Sequence, residues 1–396
     1  MRAYADILRA PNVARLFAAM VLARLPLGIN GLALVLFVRE QGGSFATAGA
    51  TAGALALGSG LGAPVGGRLV DRLGARVLLA LAAAHATGLV AIFALGSAGG
   101  PAAALVALSA VTGVAFPPTS SVLRAQYQRL FADTPTLLQG AFALDSVLTE
   151  VIFVAGPLLT AAMVAFVSPG AALLLSAGAV AAGALAFQAA LPAAARDEGG
   201  RAGGAGRLGA LRAPGILTLV LAMLPVGVGV GAIEVALPAF ADEQGRPSAA
   251  GVLIAIWSVA SAAGGLAYGA RRRRASLVRI HLVAAVLVPI GFLPLALAGS
   301  PATMAALVIP GGFFLAPLIA TRNELAGRVA PAGAETEAFT WPITALVSGI
   351  SVGAAAAGGV IDASGWQTAV VGAAAVGAIG AGISFARRAT LVSASA

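Results

Sequence analysis

The sequence predicts an all-α integral membrane protein with twelve transmembrane helices. Hydrophobic residues make up 59% of the 396 residues, charged residues only 10%, and the mean hydropathy is +0.97. A soluble domain is about 25% charged. Apolar stretches of about 20 residues, enough for a helix to cross a hydrocarbon core of roughly 30 Å, recur along the whole chain. The stretches are continuous and lack period-two alternation, which favours helices over barrel strands.

Each predicted span is long enough to cross the membrane as a helix that rises about 1.5 Å per residue. The first run is too long for a removed signal peptide and lacks a small-residue cleavage site, so we expect it to remain as the first span. In chain order, the predicted spans are 13–38, 45–67, 77–98, 101–121, 137–166, 169–192, 215–240, 248–270, 277–298, 301–321, 337–361 and 366–386.

The composition also excludes several classes of function. The chain has no cysteine, so it has no disulfide, thiolate nucleophile or cysteine metal site. Its two histidines, His85 and His281, lie far apart and form no metal-ligand pair, and no nucleophile or H-E-x-x-H constellation indicates an enzyme. A net charge of +9 would suggest nucleic-acid binding in a soluble protein, but here membrane topology explains the arginines. We therefore expect no enzyme activity, cofactor, metal or nucleic-acid partner.

Arginine predicts the orientation of the spans, because cytoplasmic loops of membrane proteins are rich in basic residues. Only Arg39 and Arg246 fall in loops of the opposite side. We therefore expect a multi-pass protein of the cell (plasma or inner) membrane with both termini in the cytoplasm. The loops and termini assigned to the cytoplasmic side carry Arg2, Arg9, Arg15, Arg68, Arg72, Arg76, Arg124, Arg129, Arg196, Arg201, Arg207, Arg212, Arg271–Arg274, Arg279, Arg322, Arg328, Arg387 and Arg388.

The two halves of the sequence repeat each other. Arg9-Ala10-Pro11 recurs as Arg212-Ala213-Pro214, and Glu40-Gln41-Gly42 recurs as Glu243-Gln244-Gly245, both 203 residues later. Several such matches in order indicate duplication of a six-helix unit. We expect one six-helix bundle in residues 1–192, a cytoplasmic linker in 193–214, which is polar and glycine-rich, and a second bundle in 215–396.

The loop between the second and third spans combines charge and glycine in the pattern G-x-x-x-D-R-x-G-x-R, formed by Gly67, Asp71, Arg72, Gly74 and Arg76. This pattern resembles the signature loop of the major facilitator superfamily, whose members move small solutes by alternating access. The resemblance implies the major facilitator fold, with substrate held between the halves near the bilayer midplane. We expect the protein to be a monomer.

In that family, the aspartate and arginines of this loop latch the two halves at the cytoplasmic face, and Asp71, Arg72 and Arg76 occupy the matching positions. The alternative is that Asp71 only caps a helix and the arginines only set the topology. The second half lacks a full counterpart, because Gly269 replaces the aspartate and four arginines follow.

Charged residues inside the spans are the strongest functional candidates, since each costs about 2.5–3.5 kcal/mol to insert. They are Arg24, Asp145, Glu150 and Glu234. The first three lie near mid-membrane, and the first and fifth helices are neighbours in the family, so we expect an ion pair between Arg24 and one carboxylate. Asp145 and Glu150 are about 140° apart on a helix and do not easily share one partner. One can pair while the other takes up protons; alternatively, both are static, with Glu150 bonded to Ser146.

Glu234, in the outer part of the seventh span, has three alternative roles: binding a cationic cargo, proton coupling, or pairing with Arg24 when the halves move. Further residues inside the spans are candidates for lining the cavity, with ordinary helix packing or lipid contact as the alternative. These residues are Asn30, Thr112, Phe116, Phe313 and Phe314.

The predicted function is secondary active transport of a small organic solute, with proton-coupled efflux favoured over uptake because the spans offer few hydrogen-bonding side chains for a sugar. Drug:proton antiporters of the family carry an arginine four residues before a glycine in the fourth helix, where Ser109 precedes Gly113 here. Their glycine-proline element in the fifth helix is present as Gly156-Pro157. A solute importer or facilitator and a non-transporting membrane sensor remain the alternatives.

Overall fold

The structure is a computed structural model in which all regular elements of the described residues are helical. No strand occurs in these ranges, so the all-α prediction is confirmed. The structure describes residues 12–120, 122–123, 126, 134–191, 210–270, 275–331 and 335–392, and within the helices the side chains at 71, 135–136, 138–140, 142–143, 146, 150, 270 and 335–337 lie outside the description.

Nine segments in the described part of the chain are long and apolar enough to cross a membrane. One of them, Val13–Glu40, contains two helices, and another, Ala338–Ala386, continues through a sharp turn. The helices are α1 Val13–Arg24, α2 Pro26–Glu40, α3 Phe45–Leu73, α4 Val77–Ser97, α5 Ala102–Val114, α6 Pro135–Phe166, α7 Pro169–Ala190, α8 Pro214–Glu243, α9 Ala249–Ala270, α10 Leu277–Phe292, α11 Pro301–Phe313, α12 Leu315–Val329 and α13 Glu335–Ala386.

Helix α3 extends further than the sequence predicts. It continues six residues past the predicted end at Gly67, so the part of the motif from Gly67 to Arg72 forms its last turns rather than a loop. The chain reverses only at Gly74, whose φ of 82° lies in the region that favours glycine. Charged side chains mark the end of an apolar stretch in the sequence. They do not end the helix itself, which can continue beyond the hydrocarbon core.

Three other boundaries differ for local reasons. Pro26, which lacks a backbone N–H, follows the break between α1 and α2 at Leu25. Helix α5 stops at Val114, ahead of Pro117, and helical residues resume at Thr119, so the predicted span 101–121 is interrupted. Gly365, with a φ of 82°, turns the chain between the two arms of α13, which correspond to the last two predicted spans.

Contacts between helix ends define two ends of the bundle. Arg39, beside the turn at Gly42, contacts Asp242, and Asp362, beside the turn at Gly365, contacts the start of α3. We call this side the Gly42 end. The opposite side, where Gly74 turns the chain from α3 into α4, is the Gly74 end.

The apolar core is shared by the two halves at one end and divided at the other. Toward the Gly42 end, one continuous cluster joins Phe37 and Phe45 of the first half to Leu237 and Phe240 of the second. Toward the Gly74 end, each half has its own cluster, which includes Val13, Leu16, Leu78 and Leu191 in the first half and Ile216, Leu219, Leu277 and Leu325 in the second. Among the described residues, the halves are therefore joined at the Gly42 end and separate at the Gly74 end.

Glycines on α3 show that α3 and α13 are in contact near the Gly42 end and move apart toward the Gly74 end. A Cβ at Gly49 or Gly53 would overlap a backbone carbonyl of α13, so the two backbones touch there. Further along α3, a Cβ at Gly60 would lie 3.5 Å from a Val347 side-chain carbon, and one at Gly67 would meet nothing within 4 Å. The helices thus separate progressively toward the Gly74 end.

Candidate functional site

An ion pair lies inside the first half, between α1 and α6. Arg24 Nη1 donates to Asp145 Oδ1 at 2.9 Å, and Arg24 Nη2 donates to Thr149 Oγ1 at 2.9 Å. The side chains of Arg24 and Asp145 are only 6% and 3% exposed. Thr149 follows Asp145 by one helical turn, so both acceptors lie on the same face of α6. The structure thus joins two of the charged residues singled out in the sequence.

The second half has no charge at the corresponding place. Gly227 lies 203 residues after Arg24, the offset of the sequence repeat, and a Cβ there would overlap the carbonyl oxygen of Leu346. The neighbouring glycine contacts do correspond: Gly28 packs on the carbonyl of Ile152, and Gly231 packs on the carbonyl of Ile350. The ion pair is therefore a feature that distinguishes the first half from the second.

Glu150 is the other carboxylate of α6. Its backbone is helical, but its side chain lies outside the described part of the structure. Its position on the helix is about 140° around from that of Asp145. The pairing of Arg24 with Asp145 leaves the role of Glu150 as a prediction from the sequence.

Glu234 occupies an unusual position on α8. It is exposed, whereas every other residue from 229 to 241, a stretch described without gaps, is buried. Protein atoms nevertheless surround the carboxylate densely, which places it in an internal opening rather than on the outer surface. In the described part of the chain, no ion pair or hydrogen bond joins Glu234 to another residue.

Asn30 and Thr112 belong to a buried polar chain within the first half. Ser176 Oγ donates to Asn30 Oδ1 at 2.5 Å, and Asn30 Nδ2 lies 3.3 Å from His85 Nε2. His85 Nδ1 lies 2.8 Å from the Thr112 carbonyl oxygen, which can only accept, so the proton resides on Nδ1 and Nε2 accepts from Asn30. Asn30 is 4% and Thr112 is 2% exposed. This burial differs from the expectation that they line a cavity.

The candidate aromatic residues are half-buried. The Phe116 ring meets the His85 ring edge-on at a centroid distance of 5.2 Å, at the margin of the polar chain. Phe313 and Phe314 form a T-shaped pair with centroids 5.3 Å apart, where α11 passes into α12. Phe314 also packs on the shared apolar core. Packing therefore accounts for much of their surface.

The sequence assigns Arg322 to a loop, and this assignment is wrong. Helix α12 continues to Val329, and Arg322 is 1% exposed. Its Nη2 donates to Asn323 Oδ1 at 2.6 Å, while Nε and Nη1 have no hydrogen-bond partner in the described part of the chain. His281 of α10 lies nearby, with Nδ1 3.1 Å from Thr321 Oγ1. The charge of Arg322 lowers the local hydropathy, so a hydropathy profile ends the span before it. The buried apolar residues Leu318, Leu325 and Ala326 nevertheless recur at helical spacing on both sides of Arg322, which indicates that the helix continues.

Polar contacts join the halves at the Gly42 end. Arg39 Nη2 donates to Asp242 Oδ2 at 2.9 Å, and these residues are 203 positions apart, at matching places in the sequence repeat. Asp362 accepts hydrogen bonds from the backbone N–H groups of Phe45 (3.0 Å) and Ala46 (2.7 Å), which satisfies orphan donors at the start of α3. These contacts cross between α2 and α8 and between α3 and α13.

The motif residues lie at the opposite, Gly74 end. Gly67 and Arg72 are in the last turns of α3, and Arg76 precedes the first residue of α4. Arg72 and Arg76 are exposed, whereas the side chain of Asp71 lies outside the described part of the structure. The motif thus occupies the end at which the described parts of the two halves are separate.

Among the described residues, no group of three or more His, Cys, Asp or Glu side chains that could hold a metal ion comes together. In the described part of the chain, long apolar helices are joined at one end and parted at the other, and one half contains a buried ion pair, an arrangement that suits a multi-pass membrane transporter. A family model described as the Major Facilitator Superfamily matches residues 16–341. The chain belongs to this superfamily and is a transporter rather than an enzyme.

Solved structures show the same fold at low sequence identity. The nucleoside transporter NupG, in a mutant form, superposes with a TM-score of 0.77 at 14% identity, covering 96% of this chain and 99% of the other. A POT family transporter gives 0.71 at 13%, with 96% of each chain covered. A bacterial homologue of the iron transporter ferroportin, in an inward-facing state, gives 0.71 at 16%, covering 94% and 98%. The comparison with curated protein sequences finds no match.

Proposed function

We propose that the protein is a secondary active transporter that exports a small organic solute by alternating access, in exchange for protons. Its units are a six-helix bundle in residues 1–192, a cytoplasmic linker in 193–214 and a second six-helix bundle in 215–396, twelve spans in all. The observation that carries the proposal is the one-sided joining of the halves, with a shared core at the Gly42 end and separate cores at the Gly74 end. Alternating access requires such an arrangement and its mirror state.

We infer that the Gly74 end faces the cytoplasm, because Arg72 and Arg76 lie there and basic residues mark cytoplasmic loops. The conformation is then open to the inside and closed to the outside. The motif residues Asp71, Arg72 and Arg76 lie at the open end, where a latch would engage when that end closes. The inward-facing state named for the ferroportin homologue is consistent with this orientation.

Cysteine labelling in intact cells tests the orientation, and the native chain contains no cysteine to interfere. We expect Ala98→Cys and Gly299→Cys, at exposed turns of the predicted outer face, to react with a membrane-impermeant maleimide. Leu73→Cys, 65% exposed at the Gly74 end, should react only after permeabilisation. Labelling of Leu73→Cys in intact cells would reverse the assigned orientation.

We propose that the proton is carried in α6. Arg24 already engages Asp145 in an ion pair. Glu150 lies about 140° around the helix from Asp145, and we assign to it the proton that is gained and lost as the halves move. Efflux is favoured over uptake because the spans offer few hydrogen-bonding side chains for a sugar.

Glu150→Gln tests the coupling. The amide keeps the shape of the protonated acid and cannot release a proton, so solute movement driven by a pH gradient should stop while exchange down a solute gradient remains. Proteoliposomes with an imposed pH gradient and a panel of labelled solutes measure both. Glu243→Gln, the same change at an exposed position of α8, is the control. Full gradient-driven transport by Glu150→Gln would refute the role of Glu150.

A further inference from the structure

The internal opening at Glu234 has a counterpart in the first half. Gly31 lies 203 positions earlier, at the matching place of the sequence repeat, and it is the one exposed residue in the fully described stretch 29–38. A Cβ built on Gly31 would meet nothing within 4 Å. Two helices from different halves thus each open to space at the same repeat position.

Both positions lie at the same depth below the closed end. Gly31 and Glu234 each precede, by eight residues, one member of the Arg39–Asp242 contact that joins α2 to α8. Eight helical residues correspond to about 12 Å. Both positions therefore lie at a similar distance beneath the contact that joins the halves at the Gly42 end.

Glu234 is a carboxylate with no partner at this site among the described residues. The Arg24 charge is held by Asp145, and Arg39 is held by Asp242, so neither of these cations is directed at Glu234. An uncompensated charge inside a membrane span is costly, and such residues mark binding sites and ion pathways. A static structural role would require a partner, and the described part of the chain provides none.

The matching position on α2 is open and has an apolar neighbour. A Cβ at Gly31 would meet nothing within 4 Å, and Leu27, 41% exposed, lies one turn away on the same face of α2. A ligand that fits combines a positive charge with a hydrophobic body, because the charge meets the carboxylate while the body covers leucine.

We propose that Glu234 binds the positive charge of the transported solute, and that this solute is an organic amine or onium ion with an apolar body. The assignment rests on the proposed transport function and adds the class of cargo. Glu234 then determines specificity for charge, and Gly31 determines the size that the opposite wall admits.

Equilibrium binding of radiolabelled tetraphenylphosphonium to the purified protein tests the charge. We expect Glu234→Gln to weaken binding roughly 10- to 100-fold, since interactions with a charged group contribute about 1.5–3 kcal/mol. The variant should fold normally because it breaks no hydrogen bond of the described residues, and Glu243→Gln on the same helix should bind as the parent does. Equal binding by Glu234→Gln and the parent would overturn the assignment, as would a parent that binds neither tetraphenylphosphonium nor ethidium.

A second variant tests the opposite wall. Gly31→Leu places a side chain in open space, so the protein should fold and yet bind tetraphenylphosphonium roughly 10-fold more weakly. Unchanged binding by folded Gly31→Leu would place the ligand elsewhere and overturn the proposed site.

Transport assays separate this inference from the proposed function. A protein that binds the cation through Glu234 but never moves it across proteoliposomes supports the site and refutes transport. A protein that moves only neutral or anionic solutes, unaffected by Glu234→Gln, supports transport and refutes the cationic cargo. Loss of pH-driven transport in Glu234→Gln with full cation binding would assign Glu234 to the proton instead, and would also overturn the inference.

Discussion

Asp145→Leu should be the most destabilising of the substitutions considered. Arg24 is buried and would lose its carboxylate, and removing one partner of a buried ion pair costs about 3–5 kcal/mol. Thermal unfolding of the detergent-purified protein, followed by tryptophan fluorescence, measures the loss. We expect little Asp145→Leu protein to survive purification.

The double variant Arg24→Met/Asp145→Leu distinguishes an ion pair from simple loss of packing. Replacing both charges by apolar groups removes the stranded cation, so stability should return close to that of the parent. Thr149→Val, which removes one acceptor and retains the ion pair, should lose only about 1.5–3 kcal/mol. If Asp145→Leu is as stable as the parent, or if the double variant is no better than Asp145→Leu, the pair does not stabilise the fold.

The sequence predicts the helical class, the family and the existence of an intramembrane ion pair because each depends on composition, a short motif or the insertion cost of charge. It leaves open which carboxylate pairs with Arg24, since Asp145 and Glu150 lie at similar depth on one helix. The structure resolves this choice through Thr149, the second acceptor one turn beyond Asp145. The orientation of α6 about its own axis determines which residues face Arg24, and a hydropathy profile carries no information about that orientation.

The direction in which polar side chains point is the least predictable feature. The sequence predicts that Asn30 and Thr112 line a cavity, yet they are hydrogen-bonded through His85 between helices of one half. In a membrane protein, faces toward lipid, toward neighbours and toward a cavity are all largely apolar, so periodicity does not separate them. Arg322 shows a second limit of the sequence prediction: its charge ends the apolar run, yet the residue lies within helix α12.

Gly358→Leu should stop transport by preventing the Gly42 end from closing. Gly358 lies on α13 one turn before Asp362, and a Cβ there would overlap the backbone carbonyl of Phe45 at the start of α3. A backbone carbonyl has little room to move, and overpacking of this kind costs about 1–3 kcal/mol. The cost falls on the closed state alone, so the population should shift roughly 5- to 150-fold toward the state open at the Gly42 end.

The chain provides a matched control in the next residue. A Cβ at Gly359 would meet nothing within 4 Å, so Gly359→Leu adds the same side chain to the same helix without touching α3. A cysteine at Gly31, inside the proposed cavity, reports the state through its reaction with an impermeant maleimide applied from outside. We expect fast labelling in the Gly358→Leu background and slow labelling in the parent and Gly359→Leu backgrounds. Equal labelling in both variants would mean that the contact between α3 and α13 does not control access, because two leucines one residue apart differ only in whether they separate these helices.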